Sequence, residues 1–199
     1  MGIVKFSLSM SLDGFIAGVD DRPGQDMGEG GEALHHWVHG GVPGSFGCTG
    51  VDREVLEELH EANGAMIVGR RMFDIDEAWG GNTPGGVPCF VLTHNPPAEW
   101  VRPDSPFTFV TDGIHSALAK ARAAAGDKDV EVASAKVVQQ FLRADLIDEF
   151  TLHLAPILLG RGIRLFEHLD DLKVTTERTR VRESNHATHI TFRVLKENA

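Results

Sequence analysis

The chain has little that would staple it covalently: among 199 residues there are two cysteines, Cys48 and Cys89, far apart and outside any Cys-x-x-Cys pair. That spacing indicates unlinked thiols and a reducing compartment. Basic residues are also scarce, 19 Lys and Arg against 29 Asp and Glu, for a formal net charge of −10. Nucleic acid is thereby excluded as a partner, because a phosphate polymer needs a basic surface. A phosphorylated small cofactor is not excluded, since a local cluster of arginines and backbone N–H groups suffices for it. No apolar run approaches the length of a membrane span, and Asp13, Asp20 and Asp21 interrupt the N-terminus early. The expectation is a cytoplasmic protein with no membrane partner. No Gly-x-Gly-x-x-Gly follows the first strand, so an ordinary Rossmann site is unsupported, and Gly160-Arg161-Gly162 is only a lone Gly-x-Gly. Ser9, Ser11 and Ser45 lack the Gly-x-Ser-x-Gly setting of a hydrolase elbow.

Hydrophobic residues make up 42% of the chain and charged residues 24%. That is enough for one globular domain over residues 1–199 with a core that needs neither disulfide nor metal. Residues 3–10 alternate as a strand, and residues 11–18 turn away from it. A Gly-, Asp- and Pro-rich stretch at about 19–50 reads as an irregular loop insertion with one short helix near Glu32–Val38. A helix is predicted over Asp52–Asn63, capped by Asp52, and a buried strand over Ala65–Val68. Gly69–Phe73 opens a second helix; strands follow at Pro88–Thr93 and Phe107–Val110; Thr111 or Asp112 caps a helix through Ala125. Val130–Ala133 is a strand, with Ser134 a cap for the helix that carries Val137, Val138, Phe141 and Leu142. Glu149–Pro156 is a strand and Leu158–Phe166 a glycine-broken loop. Val174–Arg182 and Thr188–Leu195 form an antiparallel hairpin turned near Ser184-Asn185. Strands alternating with helices and closing on a hairpin predict an α/β fold: a mostly parallel central sheet, helices on both faces, an antiparallel edge.

Chemistry concentrates where strands meet helices. Gly69-Arg70-Arg71-Met72 lets a ligand approach the backbone at a helix start, where the dipole favours anions and arginine recognises phosphate; the bland alternative is a surface arginine pair. Ala133-Ser134-Ala135-Lys136-Val137 offers small residues, a hydroxyl and a cation at a second strand-to-helix junction, or else a plain cap. Thr93-His94 ends a third strand on the same edge, the edge at which open α/β sheets bind ligands. His35, His36 and His39 raise a metal-dependent alternative. They lack a carboxylate or cysteine partner at a fixed offset, so the expectation is solvated loop histidines and no metal site.

Four segments then stand in a familiar order: Ser11-Leu12-Asp13-Gly14-Phe15-Ile16-Ala17, residues 67–73 (IVGRRMF), residues 146–150 (LIDEF) and residues 155–166 (APILLGRGIRLF). Together they resemble the dihydrofolate-reductase-like family, and within it the C-terminal reductase domain of bifunctional riboflavin-biosynthesis deaminase-reductases. The resemblance implies the three-layer fold of that family, a homodimer, and an NADPH-dependent reductase of a small heterocyclic or carbonyl substrate such as a ribosylaminopyrimidine. It implies that Gly69, Arg70, Arg71 and Met72 hold cofactor phosphates, and that Thr93 and His94 lie near the adenosine ribose and its 2′-phosphate. Ala17 would sit beside the nicotinamide, and residues 133–137 would wrap the pyrophosphate. In this chain Ala133-Ser134 replaces the usual Gly-Gly. Asp13, after the first strand, and Asp52, on the helix before the Gly-Arg strand, are the candidate catalytic carboxylates; Asp13 equally suits a turn at Asp13-Gly14. A protein that kept the fold for nucleotide binding or sensing, without chemistry, is the alternative function.

Overall fold

The computed structural model describes residues 2–41, 47–169 and 172–196; Ser45 and the rest of 42–46 in the long loop lie outside the described residues. The strands are β1 (Val4–Ser11), β2 (Phe15–Ala17), β3 (Asn63–Gly69), β4 (Cys89–Leu92), β5 (Phe107–Val110), β6 (Asp129–Val132), β7 (Glu149–Ala155), β8 (Ile163–Arg164), β9 (Thr176–Glu183) and β10 (Thr188–Val194). The α-helices are α1 (His36–His39), α2 (Gly50–Ala62), α3 (Arg70–Ile75), α4 (Ile114–Ala125) and α5 (Ala135–Arg143). Eight strands form one sheet in the order β5-β4-β3-β6-β1-β7-β10-β9, and β2 pairs with β8 beside it. Every pairing from β5 to β7 is parallel; β7–β10 and β10–β9 are antiparallel. This is the expected α/β architecture, a mostly parallel sheet with an antiparallel edge, in which a tight turn at 184–187 joins β9 to β10.

Alternation along β1 sorts the two sides of the sheet. Val4, Phe6 and Met10 join Ile67, Val130, Val132, Leu118, Val138 and Phe141 in the main core, beneath α4 and α5. Lys5, Ser7, Ser9 and Ser11 point the other way, toward α1 and α2, where Trp37, Val55 and Ala187 form a smaller apolar cluster backed by Leu56 and Leu59.

Several local expectations are corrected. The helix after the loop begins at Gly50 behind Thr49, so Asp52 sits inside its first turn, buried, and caps nothing. Helix α4 starts behind Gly113 (φ 97), not Thr111 or Asp112, because the sharp entry needs a positive φ. Ser134 does occupy the N-cap position of α5, but makes no side-chain cap bond. The loop helix is a 3-10 turn, Gly31–His35, running into α1. Residues 163–164 of the glycine-broken loop are a strand, and the last hairpin turns through Ser184–Ala187.

Candidate functional site

At the carboxyl edge of the sheet, β3 and β6 are neighbours, and α3 and α5 leave from their ends. The two junctions touch: the Gly69 N–H donates to Ser134 Oγ at 3.1 Å. A Cβ on Gly69 would lie 2.9 Å from Ser134 Oγ and 3.2 Å from Val137 Cγ2, so only glycine lets the helices start this close together. Neither α3 nor α5 has a side-chain cap bond, so the N–H groups of both first turns are left without a capping side chain beside this junction. That donor set fits a diphosphate. Ser134 holds φ 74, ψ 138, a conformation that favours glycine, and its hydroxyl, while accepting from Gly69, keeps a hydrogen to donate.

The other expected cofactor residues divide around this point. Arg70 bonds Asp74 Oδ1 at 2.7 Å and the Asn95 carbonyl, which brings it to the segment that carries Thr93 and His94. Thr93 Oγ1 accepts from the Asn95 N–H at 3.1 Å, and His94 is exposed. Arg71 turns the opposite way and clasps Asp21 of the long loop through Nε and Nη2. Met72, partly buried, packs under Phe73 and Val91; Ala133, Ala135 and Val137 are buried, and Lys136 is exposed. Ala17 is pinned by Gly162, whose missing Cβ would fall 2.0 Å from the Ala17 carbonyl oxygen.

Asp13 lies in the turn before β2. Its carboxylate accepts from Ser11 Oγ (2.6 Å), the Gly160 N–H (2.7 Å) and the Leu159 N–H (3.1 Å), while Arg164 donates to its carbonyl. The Ser11 hydrogen bond first, then those backbone donors, hold it down at about 2. A group so ionised has no proton to give at neutral pH; the geometry makes Asp13 the latch between the β1–β2 turn and residues 159–160.

The inner face of the sheet beneath α1 and α2 is polar, and here Asp52 finds its partner. Asp52 Oδ1 is 2.9 Å from His189 Nε2, His189 Nδ1 is 2.7 Å from His153 Nδ1, and His153 Nε2 is 2.6 Å from Ser7 Oγ. Trp37 packs against both imidazoles, tilted over His153 with ring centroids 4.3 Å apart and edge-on to His189, and donates Nε1–H to Ser9 Oγ. A cavity of about 250 Å³ opens here, lined by Ser7, Ser9, His35, Trp37, Glu131 and His153 among others. A second, of about 450 Å³, lies beyond α2, against Ser7, His189, Lys5, Arg180 and Arg182. Burial pushes the Glu131 carboxyl up to about 7, against the hydrogen bond from Asn63 and the charge of Lys5. His35 is driven down to about 4 by burial and by His39, contrary to the solvated histidine expected. Among the described residues no group of three or more His, Cys, Asp or Glu is placed to hold a metal.

Sequence reasoning reached Asp52 but missed Ser7, His153, His189, Trp37 and Glu131. One signal was available: the alternate residues of β1 that face a helix are Lys5, Ser7, Ser9 and Ser11, where an inert strand would be apolar.

A family model for the RibD C-terminal domain matches residues 3–190. The chain belongs to the RibD C-terminal domain family. YwjB of Bacillus subtilis (strain 168) is 32% identical over 81 residues, which are 41% of this chain and 45% of that protein, so the match spans less than half of it. Three solved structures share the fold. A protein named for riboflavin biosynthesis, from Shewanella sp. PV-4, superimposes with TM-score 0.71 at 22% identity, covering 98% of this chain and 99% of that one. The Thermotoga maritima diaminohydroxyphosphoribosylaminopyrimidine deaminase/5-amino-6-(5-phosphoribosylamino)uracil reductase gives 0.62 at 15%, over 98% of this chain and 57% of that one. Dihydrofolate reductase of Enterococcus faecalis, solved with NADP(H), gives 0.56 at 13%, with 98% of each chain covered. The fold is thus shared with these three structures over 98% of the chain. No helix among the described residues is long and apolar enough to cross a membrane.

Proposed function

We propose that this RibD C-terminal domain is a cytoplasmic, NADPH-dependent reductase of a small planar heterocycle or carbonyl compound, a ribosylaminopyrimidine being the model substrate. The observation that carries the reading is the meeting of two uncapped helix starts, α3 and α5, at adjacent strand ends, on the same sheet as a largely apolar cavity of about 250 Å³ with Ser7, Ser9, Glu131 and His153 in its wall. That volume suits a one- or two-ring ligand, since drug-sized pockets start at about 300 Å³.

The N–H groups opening α3 and α5, with the Ser134 hydroxyl, would hold the diphosphate; Gly69 keeps the approach open. Thr93 and His94 would border the adenosine ribose, Ala17 the nicotinamide, and Arg70 the 2′-phosphate. Arg70 is favoured over Arg71 because it already reaches the Thr93–Asn95 segment, whereas Arg71 is committed to Asp21. When bound, the cofactor supplies hydride; the chain contributes orientation, exclusion of water and a proton. Arg70→Ala should weaken NADPH by about 1.5–3 kcal/mol, roughly 10- to 150-fold in Kd, and leave NADH nearly unchanged. Fluorescence titration of both cofactors checks this, and equal losses for the two would assign Arg70 to the diphosphate or to structure.

Ser134 supports the second reading, a nucleotide-binding protein without chemistry, because its side chain stands where close phosphate approach favours glycine. NADPH oxidation in the presence of pyrimidine and pterin substrates separates the two. The homodimer belongs to the same proposal. Its expected surface is the β9 edge of the sheet, beside which no further strand lies among the described residues, and light scattering that shows a monomer at micromolar concentration removes it.

A further inference from the structure

The hydrogens of the chain Asp52–His189–His153–Ser7 can be placed by bonding rules alone. A carboxylate only accepts, so His189 donates to Asp52 from Nε2 and its Nδ1 is bare. His153 must then donate its Nδ1–H to His189, which leaves His153 Nε2 bare. Ser7 therefore turns its own hydrogen toward His153, and offers only lone pairs to the cavities that it lines. One added proton reverses the two bonds that His153 makes and leaves His189 donating to Asp52. It enters at His153 Nε2 and displaces the Nδ1 proton onto His189, which becomes an imidazolium beside Asp52. His153, now Nε2–H, donates to Ser7, and the Ser7 hydroxyl is released to donate into the cavity. His153, His189 and Asp52 are exposed by only 1%, 2% and 3%, so half-buried Ser7 is the outlet of the chain.

We propose that Ser7 hands a proton to the substrate, drawing it through His153 from an Asp52–His189 store. This rests on the reductase reading above. Reduction of a C=O or C=N bond places on carbon a hydride from the reduced dinucleotide of that reading. The bond's electron pair moves to the oxygen or nitrogen, which takes the Ser7 hydroxyl proton. Ser7 Oγ takes the His153 Nε2 proton, His153 Nδ1 takes the His189 Nδ1 proton, and the chain returns to its neutral state, to be reloaded with one proton from water. Ser7 is the residue in contact with substrate; His153, His189 and Asp52 are positioning residues that act through it.

The groups facing the chain are His35 before α1, Glu58 and His60 of α2, Lys5 of β1, Asp129 and Glu131 of β6, Glu149 of β7, and Arg180 and Arg182 of β9. Burial, then the neighbouring His189, holds His153 well below the ordinary imidazole value. Burial lowers His189 as well, against the pull of Asp52. The loaded state is thus the minority at neutral pH, and reduction slows tenfold per pH unit above the loading point.

Two measurements test this. The first needs neither cofactor nor substrate: ¹⁵N NMR of the imidazoles between pH 8 and pH 5. The expected result is His153 as the Nδ1–H tautomer at pH 8, converting to neutral Nε2–H as His189 becomes an imidazolium. His153 already Nε2–H at pH 8, or unchanged down to pH 5, overturns the proposal. The second is NADPH oxidation with 5-amino-6-(5-phosphoribosylamino)uracil. Ser7→Ala should lower kcat by about 10²- to 10⁴-fold with NADPH affinity unchanged, and should flatten the fall of rate with pH; Ser7→Thr should restore both. An unchanged kcat and pH slope in Ser7→Ala overturns the proposal while NADPH binding leaves the reductase reading standing. Wild-type protein that does not bind NADPH overturns both.

Discussion

The two faces of the central sheet are built from the same strands and do opposite work. Beneath α4 and α5 the face is Val4, Phe6, Ile67, Val130 and Val132, closed by Leu118, Val138 and Phe141. Beneath α1 and α2 the same strands present Lys5, Ser7, Ser9, Glu131 and His153, joined by Asn63 and by His189 from the antiparallel edge. Burying polar groups contributes little net stability even when each is bonded, whereas apolar burial is the main driving force for folding. The molecule thus stores its stability on one side of β1 and its chemistry on the other, separated by the period of two along a strand.

Truncating the apolar face should be the harsher injury. Phe141 is fully buried between α5 and the sheet, and Phe141→Ala should cost about 3–5 kcal/mol in urea unfolding, from lost burial and the cavity left behind. A loss under about 1 kcal/mol would show that the main core tolerates voids and would break the contrast.

Glu131 tests the polar face in the opposite direction. Its folded value of about 7 lies above its ordinary 4.5. The protonated form is therefore favoured in the fold, and stability is fullest below 4.5 and declines as pH rises through 7. Glu131→Gln removes the penalty, so the variant should be more stable than wild type at pH 8.5 by on the order of 3 kcal/mol, a gap that closes toward pH 4.5. Parallel unfolding curves at both pH values decide it; a variant less stable at pH 8.5 would mean that the Lys5 charge outweighs burial.

The smallest expected effect sharpens the junction where the two faces meet the carboxyl edge. Ser134→Ala loses the bond to the Gly69 N–H and keeps the positive φ, so it should cost about 1 kcal/mol. Ser134→Gly loses the same bond and relieves the strain, so it should remain within about 0.5 kcal/mol of wild type. Thermal melts should rank Gly above Ala, the reverse of the usual order.

Most of the architecture was legible because it is local. The apolar run at 65–68, the helical spacing of Val137, Val138, Phe141 and Leu142, and the strand–helix alternation need only a few neighbouring residues to be read. The errors fell at element ends, where one residue does two jobs. Asp52 has the composition of a cap, but the helix starts two residues earlier and the carboxylate turns inward. The glycine-rich stretch 158–166 hides a two-residue strand that exists only because β2 lies opposite it.

By itself the sequence determined the family, the α/β order of elements and the strand-to-helix junctions at Gly69 and Ser134, since periodicity and motif order survive without coordinates. Only the tertiary structure decided which polar residues meet. Asp52 lies 137 positions from His189, and Ser7 lies 146 from His153. No local pattern links residues so distant; parallel pairing of β1 with β7, and antiparallel pairing of β7 with β10, bring Ser9, His153 and His189 into one row across the sheet. Strand register, a property of the assembled sheet, is the physical reason a buried proton chain exists here.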